Sequence, residues 1–262
     1  MSRDAEWDPA QYGVFGDERA RPFAELVGRI SGPEPRYAVD LGCGPGELTA
    51  TLATRWPDAV IDAIDSSPDM IAAAQAHSIP GRLNFTVGDV AAWKPDKAVD
   101  IIVSNAVLHW VPEHDNLLPQ WVDALAPGGR LAFQVPGNFD EPSHALLRML
   151  CRSDRWVDRI GDVLQSDPIL DPARYLDLLA RHGCLVDAWE TTYTQVLQGD
   201  DPVLEWVKGT TLRPILTELD QQERDEFLAS YRDLLREAYP AAPYGTVFPF
   251  RRVFVIAHRN AP

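Results

Sequence analysis

Tyr37-Ala38-Val39-Asp40-Leu41-Gly42-Cys43-Gly44-Pro45-Gly46 is the stretch from which the fold is read. Its apolar run ends in alternating glycines and passes straight into the helix-like segment 47–56. A turn free of β-carbons lets a ligand lie against bare backbone and the N-terminus of the helix that follows. Dinucleotide sites use the same strand, turn and helix, but space their glycines G-x-G-x-x-G around a pyrophosphate. Here the spacing is G-x-G-x-G, and Asp40 stands two residues before the first glycine. Its carboxylate repels a phosphate and suits a cation. For Gly42, Gly44 and Gly46 taken alone, a glycine-rich turn with no ligand is the alternative.

Further along, the run from Ala59 to Ile64 closes with Asp65. An acid at the end of the second strand of a doubly wound sheet is placed to accept both hydroxyls of a ribose, whichever nucleoside carries it. Ser66-Ser67-Pro68-Asp69-Met70 then opens a helix, with a serine cap, proline in the first turn and an acid at the positive end of the dipole. Gly88-Asp89-Val90 closes the run 83–87; there a carboxylate and the next N–H can take the exocyclic amine and a ring nitrogen of adenine, although Gly-Asp alone is more often a turn. Asn105, Leu108, His109 and Trp110 follow the run 99–103, where a fourth strand opens onto the same crevice. Asp40, Asp65 and Asp89 end three successive strands and converge where open α/β sheets bind ligands. A nucleoside carrying a positive charge, such as S-adenosylmethionine, fits that set better than NAD.

With these residues the chain resembles the class I S-adenosylmethionine-dependent methyltransferases. The resemblance runs nearly end to end and extends to the trans-aconitate 2-methyltransferase family. It is carried by Trp7-Asp8-Pro9 with Tyr12, Arg19, Arg21-Pro22, the glycine stretch, Asp65 to Pro68 with Met70-Ile71, and Asn105 with Leu108 and Trp110. Later matches are Glu141 to His144, Gly183-Cys184, Trp189, Thr191 to Tyr193, Trp206-Val207, Leu212 to Pro214 and Phe250 to Ala257. The glycine motif is specific only to the superfamily, and the later matches narrow it. Two positions depart from the family pattern: His109, where Gln is expected, and Thr211, where Gly is expected.

The expected fold is α/β: a doubly wound, mostly parallel, seven-stranded Rossmann-like sheet with a helical cap inserted late. Strands near 37–41, 60–65, 83–89, 99–105 and 130–135 alternate with helices near 47–56, 68–77 and 113–126, after an opening helix near 17–30. Past residue 138 the pattern is helix after helix, broken by a strand near 185–197 and a last strand near 252–258. The cofactor core is assigned 1–137, 171–199 and 251–262, and the cap 138–170 and 200–250.

Twenty-four basic against 39 acidic residues give the 262-residue chain a net charge of −15, which opposes nucleic acid and anionic membranes as partners. Three cysteines show neither metal spacing nor a disulfide framework, which points to a reducing cytoplasm. There is no membrane-length apolar run and no signal-peptide core. A monomer or weak homo-oligomer is expected.

The resemblance implies methyl transfer to a carboxylate of a small tricarboxylate. Such an oxygen is ionised far below neutrality, so no general base is needed and no catalytic residue is assigned. His109 is expected to shape the pocket or donate a hydrogen bond rather than remove a proton. Cofactor contacts are expected from Asp40, Gly42, Gly44, Gly46, Asp65, Ser66, Met70, Asp89, Val90, Asn105, Leu108 and Trp110. Substrate contacts are expected from Arg213, Arg252, Tyr244, Asn138, Trp206, Tyr193, Arg21 and Tyr12, with arginine suited to bidentate carboxylate pairing. For Arg130 and Arg251 a surface charge or salt bridge is the expectation. No metal is expected. A methyltransferase for a phenol or amine and a non-catalytic S-adenosylmethionine-binding module are the other readings, with a nicotinamide dehydrogenase further off.

Overall fold

The computed structural model describes residues 16–163, 169–209 and 211–260, with side chains from residue 20 onward. The chain divides into two units. Of the described residues, one comprises 16–135, 169–191 and 252–260; the other comprises 136–163, 192–209 and 211–251.

The first unit is built on parallel strands. Helix α1 (Gly16–Arg29) precedes β1 (Tyr37–Leu41), and α2 (Glu47–Arg55) leads to β2 (Val60–Asp65). Helix α3 (Pro68–Ala74), β3 (Leu83–Val87), β4 (Val99–Asn105), α4 (Leu117–Ala124) and β5 (Leu125–Pro136) follow. Strand pairs β1/β2, β2/β3, β1/β4 and β4/β5 are all parallel. The sheet continues through β8 (Gly245–Arg259) to β6 (Cys184–Leu197), in the order β3-β2-β1-β4-β5-β8-β6. The order reverses between β1 and β4, which places the glycine loop at the crevice where such sheets bind ligands. Burial on both faces explains the unbroken apolar runs: Ile101, Ile102 and Val103 are fully buried, as are Leu131, Ala132 and Phe133.

Several boundaries differ from the expected ones. The third strand stops at Val87 because the Asp89 carboxylate accepts from Ala91 N–H and turns the chain. Helix α3 ends at Ala74 in a single tighter turn, Gln75–His77. Residues 127–129, expected to end a helix ahead of a strand, already belong to β5: Leu125 pairs with Val99, and a bulge follows before Ile101 meets Arg130. The last strand starts at Gly245 rather than 252. From Thr246 to Arg252 it alternates between buried and part-exposed residues, a period of two that continues past Pro249.

The second unit is mainly helical. Helix α5 (Pro142–Cys151) packs on α10 (Gln221–Ala238), which opens with a capping box between Asp220 and Glu223. Its interior is aromatic: Trp156 meets Phe227 edge to face at 5.4 Å, and Trp206 meets Phe250 at 5.0 Å. Tyr231 O–H donates to Ser143 O, and Ser143 N–H donates to the Tyr239 hydroxyl, so two tyrosines hold the start of α5.

Candidate functional site

The loop after β1 is closed by its neighbours. Gly42 and Cys43 N–H both donate to Ile64 O, at 2.8 and 3.0 Å. Gly42 has φ +86, and a β-carbon there would stand 2.1 Å from Val107 Cγ2. Gly44, with φ +56, faces open space, so a ligand can reach its backbone.

Asp65 ties this loop to the end of β2. Its Oδ2 accepts Gly44 N–H and its Oδ1 accepts Ser67 N–H, both at 2.9 Å. A carboxylate offers roughly four lone-pair sites, so each oxygen keeps one for a ribose hydroxyl. Spacing did not show that Asp65 also holds the glycine turn and the start of α3 in place. Ser67, not Ser66, caps that helix, accepting from Met70 N–H; Ser66 is exposed and Met70 is buried.

Asp40 lies beneath the loop, 2 % exposed. Its Oδ2 accepts the Thr49 hydroxyl at 2.6 Å, and its buried Oδ1 has no hydrogen-bond partner among the described residues. Burial raises the Asp40 pKa to about 7, opposed by the Thr49 bond and assisted by the nearby charge of Asp65. A buried carboxylate oxygen with no donor is the group that an ammonium or sulfonium would satisfy. Thr49 was not among the expected site residues; its signal is a hydroxyl in the first turn after the glycine loop. Burial followed by the charges of Asp40 and Asp65 pushes the Cys43 thiol upward, so it stays protonated.

At the other strand ends, Asp89 is exposed with Val90 buried beside it. Asn105 is half-buried and its Oδ1 accepts from Gln134 Nε2. Leu108 is fully buried in the core. His109 and Trp110 are half-buried, their rings tilted at 4.7 Å. Ala106, between Asn105 and Val107, has φ +57, a left-handed conformation that is uncommon outside glycine.

The expected substrate residues fall in both units. Arg21 is exposed on α1. Arg252 is 6 % exposed and donates to Gln134 Oε1. In the helical unit, Asn138 is buried, Arg213 is half-buried at the start of α9 (Arg213–Glu218), and Tyr193 and Trp206 are buried, Trp206 among Phe248 and Phe250. Tyr244, 63 % exposed, occupies the turn between β7 (Ala241–Ala242) and β8. Tyr12 lies outside the described residues. Arg130 is not a surface charge: it is buried and donates to the carbonyls of Ser31 and Pro33. Arg251 donates to Gly137 O. Thr211, the departure from the family pattern, shares a 3.1 Å hydrogen bond with His144 Nε2. No cluster of His, Cys, Asp or Glu suited to a metal occurs among the described residues, and no helix there is long and apolar enough to cross a membrane.

The strand order and the acids at the strand ends define a class I methyltransferase fold with a nucleoside-binding crevice. A family model described as a methyltransferase domain matches residues 38–129. Among solved structures, a phosphoethanolamine N-methyltransferase from Haemonchus contortus, in complex with S-adenosyl-L-methionine, aligns with TM-score 0.53 at 14% identity, over 92% of this chain and 52% of that one. A trans-aconitate 2-methyltransferase of Streptomyces avermitilis is 55% identical over 97% of each chain. One from Rhodococcus jostii is 51% identical over 96% of this chain and 98% of its own. The chain belongs to the trans-aconitate 2-methyltransferase family and is an S-adenosylmethionine-dependent methyltransferase.

Proposed function

We propose that the protein transfers the methyl group of S-adenosylmethionine to a carboxylate oxygen of trans-aconitate, forming a monomethyl ester and S-adenosylhomocysteine. The near end-to-end identity with relatives of that name carries the choice of acceptor, because it spans both units and not the cofactor loop alone.

The residues fit the cofactor. Asp40 Oδ1 would receive the amino group, Asp65 the ribose hydroxyls, and Asp89 with the following backbone the adenine edge. The bound cofactor supplies an activated methyl on sulfur. The chain's own task is placement: holding an already ionised oxygen in line with that methyl and excluding water. His109 has no proton to remove from such a nucleophile. Carboxylate pairing is assigned to Arg213 and Asn138, both in the helical unit.

A mass-spectrometric screen tests this reading. The enzyme is given S-adenosylmethionine with a labelled methyl and a panel of di- and tricarboxylic acids, phenols and amines. Labelled monomethyl trans-aconitate should dominate the products. Label found chiefly on a phenol or an amine would replace the carboxylate acceptor with that class.

A further inference from the structure

Three neighbouring strands of the first unit carry polar side chains in a row. Asn105 on β4 is directly opposite Gln134 on β5, and Arg252 on β8 reaches Gln134. Gln134 is 1 % exposed and Arg252 6 %, whereas Asn105 is half-buried at the end of its strand, beside the crevice.

The chemistry of these groups fixes the direction of the row. A guanidinium only donates, so the Gln134 atom that meets Arg252 must be Oε1. The other end of that amide is then the Nε2 donor, and the Asn105 atom that meets it must be Oδ1. The remaining group of Asn105, its Nδ2 with two N–H donors, is turned away from Gln134, and it is not among the buried polar atoms that lack a partner. Gln134 anchors the backbone as well: its carbonyl accepts Ala106 N–H at 2.9 Å and so braces the left-handed residue that follows Asn105.

We propose that Arg252 and Gln134 are positioning residues that pin the amide of Asn105 so that it presents N–H donors, never a carbonyl, to a carboxylate bound in the site. This rests on the functional reading above and gives Arg252 a part other than direct substrate binding. The carboxylate is that of the acceptor acid or of the cofactor's methionine end.

Gln134→Glu separates the possibilities. An ionised glutamate still accepts from Arg252 but cannot donate to Asn105, which then turns its Nδ2 inward and its carbonyl toward the site. Calorimetry with S-adenosylhomocysteine, and with trans-aconitate added to the S-adenosylhomocysteine complex, reads the two sources of carboxylate in turn. One of the two affinities should fall about 10- to 100-fold while the melting temperature holds, as expected when a charge-assisted hydrogen bond is replaced by repulsion. Asn105→Asp, made at the half-buried end, should weaken the same affinity. Arg252→Lys, still an obligate donor, should keep that affinity within about threefold of wild type, whereas Arg252→Met should not. Wild-type affinities in both Gln134→Glu and Asn105→Asp would overturn the relay, as would Arg252→Lys losing as much as Arg252→Met. Turnover of trans-aconitate by the wild-type enzyme, measured first, judges the functional reading separately from these ratios.

Discussion

At the scale of single residues, Asp40 does the most. A carboxylate held at about 7 is partly protonated at neutrality, and a cation binds only its charged form. Cofactor affinity should therefore rise with pH to a plateau above about 7.5, falling up to tenfold per unit on the acid side. Binding near pH 7 should release a fraction of a proton, which calorimetry in buffers of different ionisation enthalpy detects. Asp40→Asn should lose both the affinity and the proton release; unchanged proton release in that variant would assign the titration elsewhere. At saturating cofactor kcat should stay nearly flat with pH, since a carboxylate nucleophile is ionised far below neutrality and needs no general base. Asp65 gives a second case. Asp65→Ala removes the proposed ribose acceptor, at a cost on the order of 1.5–3 kcal/mol, and also releases Gly44 and Ser67, so cofactor affinity and melting temperature should fall together. The sequence already showed these acids, because the spacing of an acid from its glycines survives without coordinates. It did not show Thr49 under Asp40, or Gln134 and Arg252 behind Asn105, because those contacts span different elements and have no local pattern.

At the scale of elements, the glycine turn makes two different demands. Gly42→Ala sets a methyl 2.1 Å from Val107 Cγ2 with φ +86, so strain and overpacking together should cost about 2–5 kcal/mol in denaturant unfolding. Gly44→Ala meets no atom within 4 Å, so its stability cost should stay near the ~1–2 kcal/mol of a left-handed residue while cofactor affinity drops as the new methyl obstructs the ligand. Similar stability losses in the two variants would remove this distinction. The first three parallel strands were legible as apolar runs closed by acids, and the next two as apolar runs alone. Strand β8 was only half legible: Pro249 reads as a breaker, yet Thr246, Phe248, Phe250 and Arg252 are the buried alternation around it. The bulge in β5 was missed for a related reason, since Pro127-Gly128-Gly129 reads as a helix stop and a bulge depends on the partner strand.

At the scale of the whole molecule, two buried groups pull stability in opposite directions with pH. Asp40 keeps a proton in the native state that the unfolded chain has released above its ordinary value of 3.8, so its contribution is lost as pH rises from about 4 toward about 7. Burial, with help from Arg148, holds the His144 imidazole at about 4, so the unfolded chain takes up a proton that the native state refuses, and stability falls as pH drops from about 6.5 toward 4. Each unit of pH across either window is worth at most about 1.4 kcal/mol. Asp40→Asn should therefore raise the melting temperature of the cofactor-free protein at pH 8 even as it weakens cofactor binding, and a lower value would contradict the burial penalty.

The destination of the methyl group is the most direct test. With S-adenosylmethionine carrying an isotopically labelled methyl and trans-aconitate as the acceptor, nuclear magnetic resonance follows the label as the reaction runs. The sulfonium methyl signal should decay at the rate at which a single methyl ester signal grows, with one S-adenosylhomocysteine formed per ester. A label that stays on sulfur, or that leaves it for any atom other than a carboxylate oxygen, would contradict methyl transfer to the acid.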